Sequence, residues 1–167
     1  EVYTAAVFKD WKYTVDNGEA TIIETTQISG NVVIPSEIDG LPVVGLDEEL
    51  LNGCEGITSI VIPDSVIYSG VSFKVSSINE NVFFDRTGLT SINIPNSVTS
   101  IGNHTFYGCT GLTSVVIGNS VTSIGNNAFF GCSGLTSIVI PNSVTSIGSS
   151  AFSGCSGLTS ITLPNSV

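Results

Sequence analysis

Four cysteines, a single histidine and one knot of carboxylates are the residues whose chemistry this chain could put to work. Cys109, Cys132 and Cys155 recur at intervals of 23 residues. Thiols close in space can form disulfides, and thiols with imidazole can bind zinc or act as nucleophiles. Equal spacing argues against these uses. Side chains at one position of successive repeats point the same way, here into a tight turn, so they approach each other without facing. Cysteine is also readily buried, and the expectation is free, buried thiols. No His or second Cys lies near any of them in sequence, which disfavours zinc. His104 has no Asp or Glu nearby and no Ser or Cys placed for activation, so no catalytic role is expected of it. Asn103-His104-Thr105 is a glycosylation sequon, which matters only in a eukaryotic host. Asp47-Glu48-Glu49, with Glu55 close by, could recruit Ca²⁺, but a solvated edge on an irregular repeat is the expected reading. Neither an enzyme nor a metal or cofactor protein is expected.

The aromatic residues are more informative. Phe83, Phe106, Phe129 and Phe152 are 23 apart and are expected to fill the core. The position after each holds Phe84, Tyr107, Phe130 and Ser153, with Asn52 at the equivalent place earlier in the chain. Phe84, Tyr107 and Phe130 should point partly outward. A strip of three exposed rings can mark an interface, although mutual stacking without a ligand would explain it equally. Tyr68 and Phe73, in a predicted hairpin, complete the candidate contact residues.

What positions these side chains is a repeat. Leu89, Leu112, Leu135 and Leu158 share the interval of 23, and the units divide as residues 75–97, 98–120, 121–143 and 144–167. A degenerate unit, 43–74, carries a nine-residue insertion at 66–74, which reads as a β-hairpin with Ser69-Gly70 at its tip. Glu37-Ile38-Asp39-Gly40-Leu41-Pro42 looks like a shorter hairpin. In Leu135-Thr136-Ser137-Ile138-Val139-Ile140 the aliphatic residues alternate as a half-buried strand requires. Val121 and Ile124 supply the opposite wall. Gly102, Gly125 and Gly148 align with Asn79 and Asp47, and Gly56, Gly88, Gly111, Gly134 and Gly157 form a second column. Gly, Asn and Asp tolerate left-handed backbone, so both columns predict positive φ. Pro63, Pro95, Pro141 and Pro164 open a third turn. Three turns per unit imply one flat coil, with parallel strands stacked about 4.8 Å apart. Residues 1–42 read as a β cap in which Trp11–Val15, the Asp16-Asn17-Gly18 turn and Ala20–Ile23 form a hairpin.

Charge follows the same division. The net charge is −10, yet all 14 Asp and Glu and all 4 Lys and Arg precede Thr87. Like charges in register along a stack repel, so the regular half is free of them, and its Ser, Thr and Asn columns should hydrogen-bond from unit to unit. The acidic first half argues against a nucleic-acid partner. No apolar run reaches the roughly 20 residues needed to span a bilayer. The chain contains no Met, so Glu1 is expected to begin a mature product or an excised segment. Val167 falls at the start of a further unit, and more sequence is expected beyond it. The open coil at Leu158–Leu163 could pair end to end with another copy.

The string from Val121 to Ser143, Val-Thr-Ser-Ile-Gly-Asn-Asn-Ala-Phe-Phe-Gly-Cys-Ser-Gly-Leu-Thr-Ser-Ile-Val-Ile-Pro-Asn-Ser, resembles the BspA-like leucine-rich repeats, and the match extends roughly from Val43 to Val167. The resemblance implies a right-handed, β-rich solenoid with parallel strands and short helical or 3-10 turns. It also implies a secreted or cell-surface location in a host-associated microbe, with adhesion to host proteins, matrix proteins or neighbouring cells, and no catalysis by the repeats. Arg86 departs from the cysteine column and Leu51 from the phenylalanine column. Besides an adhesion module, the alternatives are a stalk without a ligand and a carbohydrate-binding module using the aromatic column. The outward strand positions vary little between units, which suits a spacer or a binder of broad surfaces.

Overall fold

The computed structural model describes residues 6–8, 11–25, 29–52, 54, 56–68 and 70–167. The predicted hairpin tip at Ser69 and the acidic Glu55 lie outside them, as does the side chain of Tyr68. Strands β1 (Ala6–Phe8), β2 (Trp11–Asp16) and β3 (Glu19–Thr25) form an antiparallel meander. Asn17 and Gly18 both take positive φ at the β2–β3 turn, as a two-residue hairpin demands. The next strand is β4 (Gly30–Val33), followed by β5 (Glu37–Ile38) and β6 (Leu41–Leu46), which pair antiparallel about the left-handed Asp39-Gly40. β6 also lies parallel to β3. Tyr13 reaches this short hairpin, donating its hydroxyl to Asp39 Oδ2 at 2.5 Å.

After β6 the chain settles into coils. β7 (Ile57–Val61) is followed by a hairpin of β8 (Val66–Tyr68) and β9 (Val71–Phe73) within the insertion. Each later unit contributes a short strand and a longer one: β10 (Ser77–Ile78) and β11 (Ser91–Ile94), then β12 (Ser100–Ile101) and β13 (Ser114–Ile117). β14 (Ser123–Ile124) and β15 (Ser146–Ile147) continue the short series. Two parallel sheets result, ordered β4-β7-β11-β13 and β10-β12-β14-β15. Identical positions pair throughout: Ser59 with Ser91 and then Ser114, and Ile78 with Ile101, Ile124 and Ile147. Beyond β13 a single parallel bridge, Val139 to Thr162, carries the longer series. The parallel ladder starts upstream of Val43, because β4 stacks on β7 with Val32 opposite Ile60 and Val33 opposite Val61.

A third wall is built from backbone alone. Phe83 N donates to Thr105 O, Phe106 N to Ala128 O and Phe129 N to Ala151 O, at 2.7–3.0 Å. No helix occurs among the described residues; this wall is made of hydrogen-bonded turns. The core runs between the three walls. Leu89, Leu112 and Leu135, Val98, Val121 and Val144, and Phe83, Phe106 and Phe129 are fully enclosed. The inner phenylalanines stack at centroid spacings of 5.2, 5.0 and 5.3 Å, the last onto Phe152.

The structure corrects the reading of the glycine columns. None of Gly102, Gly125, Gly148, Gly56, Gly88, Gly111, Gly134 or Gly157 has positive φ. At Gly102, Gly111, Gly125, Gly134, Gly148 and Gly157 the reason for glycine is that successive coils touch backbone to backbone. A Cβ on Gly125 would sit 2.6 Å from both Asn103 N and Gly102 C, and one on Gly134 would sit 2.6 Å from Thr110 O. The left-handed residues flank the phenylalanines: Asn81, His104, Asn127 and Ser150 on one side, and Asp85, Gly108, Gly131 and Gly154 on the other.

Candidate functional site

The third wall presents the aromatic column. In the turn from His104 to Gly108, bounded by left-handed residues at both ends, Thr105 and Phe106 are enclosed while Tyr107 emerges. Phe84, Tyr107 and Phe130 stack face to face at 5.0 and 4.8 Å, within 4° and 7° of parallel. Tyr107 is covered on both faces by its neighbours. Phe84, at 39% exposure, is the most open of the three. The rings therefore offer their edges as a continuous apolar ridge, with a free face only at its ends. His104 borders the ridge, its ring 5.8 Å from Tyr107 and its Nε2 3.3 Å from Asn127 Nδ2.

The other predicted contact residues do not join this ridge. Tyr68 and Phe73 belong to the β8–β9 hairpin, which packs beside β6. Phe73 is half-buried there.

The cysteines form a second inner column. Cys109, Cys132 and Cys155 each point a thiol at the carbonyl of a phenylalanine in the preceding unit, Phe83, Phe106 and Phe129, all at 3.1 Å. No disulfide joins the four described cysteines. Burial pushes the Cys109 thiol up to about 12. Cys132 is pushed up as well, by its contact with the Cys155 thiol and by burial. The contact with Cys132 shifts the Cys155 thiol down, but protonated thiols aimed at carbonyls, as at Cys109 and Cys132, are poor nucleophiles and poor metal ligands. Among the described residues no group of three His, Cys, Asp or Glu could hold a metal ion.

Two further features mark the surface. One is a valine column on the outer face of the longer-stranded sheet. Val33, Val61, Val116 and Val139 follow one another along it, interrupted by Asn93, and Val139 is 80% exposed. Its first member was findable, because Val32-Val33-Ile34-Pro35 repeats the pattern of Ile60-Val61-Ile62-Pro63. The other is a pair of grooves where the regular units meet the irregular first one. Arg86, standing where later units have cysteine, fills neither. The smaller groove, about 380 Å³, is lined by Glu48, Glu49, Asn52, Asn81, Phe84 and Arg86.

The side chains that do not vary hold the stack together. Thr99, Thr122 and Thr145 donate their hydroxyls to the backbone carbonyl of the residue one unit earlier at 3.1–3.2 Å. Asn103 Oδ1 and Asn126 Oδ1 accept the N–H of Asn126 and Ser149 at 2.8 Å. A profile described as "BspA type Leucine rich repeat region (6 copies)" matches residues 76–167, more than half of the chain. The chain belongs to the BspA-type leucine-rich repeat family. Solved leucine-rich repeat proteins have the same architecture. One from Bacteroides ovatus is 28% identical with a TM-score of 0.61, over 96% of this chain and 42% of its own. One from T. pallidum is 25% identical with a TM-score of 0.57, over 96% and 72%. A third, from Bacteroides capillosus, is 23% identical with a TM-score of 0.59, over 94% and 96%. No curated protein matches significantly. Within the BspA-type pattern, the threonine and asparagine ladders, the close-contact glycines and the thiol column are architecture. Phe84, Tyr107, Phe130 and the grooves around Arg86 are what it leaves unexplained.

Proposed function

We propose that this chain is a protein-interaction module of a secreted or cell-surface protein, and that the ridge of Phe84, Tyr107 and Phe130 is its contact surface. The observation that carries the reading is that the core is already filled by Phe83, Phe106 and Phe129, so the second row of rings has no packing duty to the interior. An edge-on aromatic ridge offers apolar area already ordered by stacking, so little side-chain entropy is lost when a partner covers it. Membership of a repeat family built for protein interaction, not of an enzyme family, supports the same reading. Among the described residues no helix is long and apolar enough to cross a membrane.

The partners proposed are proteins of the extracellular matrix or of neighbouring cells, contacted over a broad, repetitive face. The test is a triple substitution, Phe84→Ala, Tyr107→Ala and Phe130→Ala, measured by biolayer interferometry against immobilised matrix proteins. Circular dichroism confirms the fold. Loss of saturable binding with an intact fold supports the ridge; unchanged binding discards it. A stalk is the second reading, favoured by the charge-free, hydrogen-bonded half from Thr87 to Val167. It predicts no saturable binding by the chain at all.

A further inference from the structure

The regular stack ends abruptly at its first member, and the mismatch leaves a site. From Phe130 through Tyr107 to Phe84 each ring lies on the next, but the following unit has Asn52 in the same column. Among the described residues, the outer face of the Phe84 ring therefore has no aromatic partner. The cysteine column is broken at the same level, where Arg86 stands in place of a thiol. Phe84 and Arg86 line both grooves at this junction, of about 380 and 640 Å³. Both volumes fall in the range of small-molecule clefts, roughly 300–1,000 Å³.

The polar groups here are underused. Arg86 Nη2 reaches only Asn52 Oδ1, at 3.4 Å, and Arg86 Nε is buried without an acceptor. Glu48 Oε2 receives only Asn81 Nδ2, also at 3.4 Å. These contacts are long for hydrogen bonds, which cluster near 2.9 Å. Among the described residues Arg86 has no ion pair, although Glu48, Glu49 and Asp85 line the grooves with it. An open aromatic face thus sits beside a donor-rich guanidinium, two amides and several carboxylates.

We infer that this junction binds a neutral hexopyranose unit of a saccharide, stacked on Phe84 and hydrogen-bonded to Arg86, Asn52 and Glu48. The inference goes beyond the ridge and shares only Phe84 with it. The ligand class follows from the donor and acceptor balance. An anion would meet three carboxylates against one guanidinium. A cation could pair with the carboxylates but offers nothing for Arg86 to donate to. A hydroxyl does both, accepting from Arg86 and donating to Glu48. The weakly positive C–H face of a pyranose ring suits the negative face of the phenyl ring. The smaller groove is open to solvent, which suits a ligand that stays partly hydrated.

Two substitutions test this while moving the protein toward its own repeat pattern. Arg86→Cys restores the column residue and removes the donors. Asn52→Phe extends the ring ladder over the free face of Phe84. The probes are the methyl β-glycosides of glucose, galactose and mannose, followed by saturation-transfer NMR on the full chain, with pentalysine as a competitor. The expected result is saturable binding of at least one glycoside with transfer to one ring face. Either substitution should weaken it about tenfold or more, and Val139→Ser, on the outer face of the longer-stranded sheet, should leave it nearly unchanged. Melting curves confirm that each variant is folded. No transfer to any of the three glycosides overturns the inference, as does equal transfer in both folded variants. Binding of pentalysine without any glycoside would assign the junction to basic peptides instead. Loss of glycoside binding in the folded Val139 variant would also overturn it, by moving the sugar away from the junction.

Discussion

Gly125→Ala is the sharpest probe of how the coils are held. A Cβ at this position would lie 2.6 Å from Asn103 N and from Gly102 C, and 2.7 Å from Asn103 Oδ1. Ordinary contact is about 3.5 Å or more, so roughly 0.9 Å must be found. Two of the three atoms are backbone, tied by Gly125 N donating to Ile101 O at 2.9 Å. Overpacking of this kind costs about 1–3 kcal/mol, and stretching that hydrogen bond adds about 1 kcal/mol. The total, about 2–4 kcal/mol, corresponds to a fall in Tm of roughly 4–16 °C for a chain of this size. Gly131→Ala is the control. Gly131 has φ +73°, but a Cβ there meets nothing nearer than 3.8 Å. Left-handed strain of about 1–2 kcal/mol is partly offset by lower entropy of the unfolded chain, about 0.4–1 kcal/mol. The expected fall is then about 2–4 °C. Gly125→Asn separates the two physical causes. If left-handed backbone were the reason for glycine, Asn would be tolerated, as Asn79 is in the same column; if close approach is the reason, Asn will cost at least as much as Ala. Thermal melts followed by circular dichroism decide it. A Gly125→Ala variant no less stable than Gly131→Ala would refute the close-approach account.

Three further outcomes are expected. Phe129→Ala, which empties a fully enclosed site, should cost about 3–5 kcal/mol; Phe130→Ala should cost about 1 kcal/mol, the order of one aromatic stack, and equal losses in urea titrations would mean that inside and outside have been exchanged. The Cys109 and Cys132 thiols should resist a disulfide-exchange reagent at neutral pH until the chain is unfolded. Because the folded Cys109 thiol holds its proton to about pH 12, against about 9 in the unfolded chain, the unfolded state binds fewer protons between those values. Stability should stay level below pH 9 and decline from there to pH 12, by at most about 4 kcal/mol for this group. Melts across that range with Cys109→Ala should show a flatter alkaline limb.

Much of the molecule was legible because stacking makes every unit report on the same environment. Leu135, Ile138 and Ile140 declare a strand, and Phe129 beside Phe130 declares one ring inside and one outside. The glycines show where the logic slips. An exchange of Gly for Asp or Asn does mark left-handed backbone at Asp85 and Gly108, yet the same exchange at Asp47, Asn79 and Gly102 does not. There the demand for glycine comes from the coil beneath, which is a tertiary contact and leaves no local signature. Likewise, Gly30–Val33 looks like part of a cap until its partner strand is seen. The junction at Arg86 was visible only as two isolated departures, Arg86 for cysteine and Asn52 for an aromatic residue. Nothing in the sequence says that the 32-residue interval from Cys54 to Arg86, lengthened by the nine-residue insertion, still brings both departures together where two coils meet.

The threonine and asparagine ladders make one coil chemically equivalent to the next. If residues 98–120 were excised, Ser97 would join Val121, and Thr122 would find Ser76 O where Thr99 had found it. Asn126 would meet Glu80 as Asn103 does now. A gene of this kind can gain or lose whole units by unequal recombination without any compensating change elsewhere. The reach of the molecule can therefore drift freely, while the junction at Arg86, which exists only once, is fixed in place by the break in the pattern.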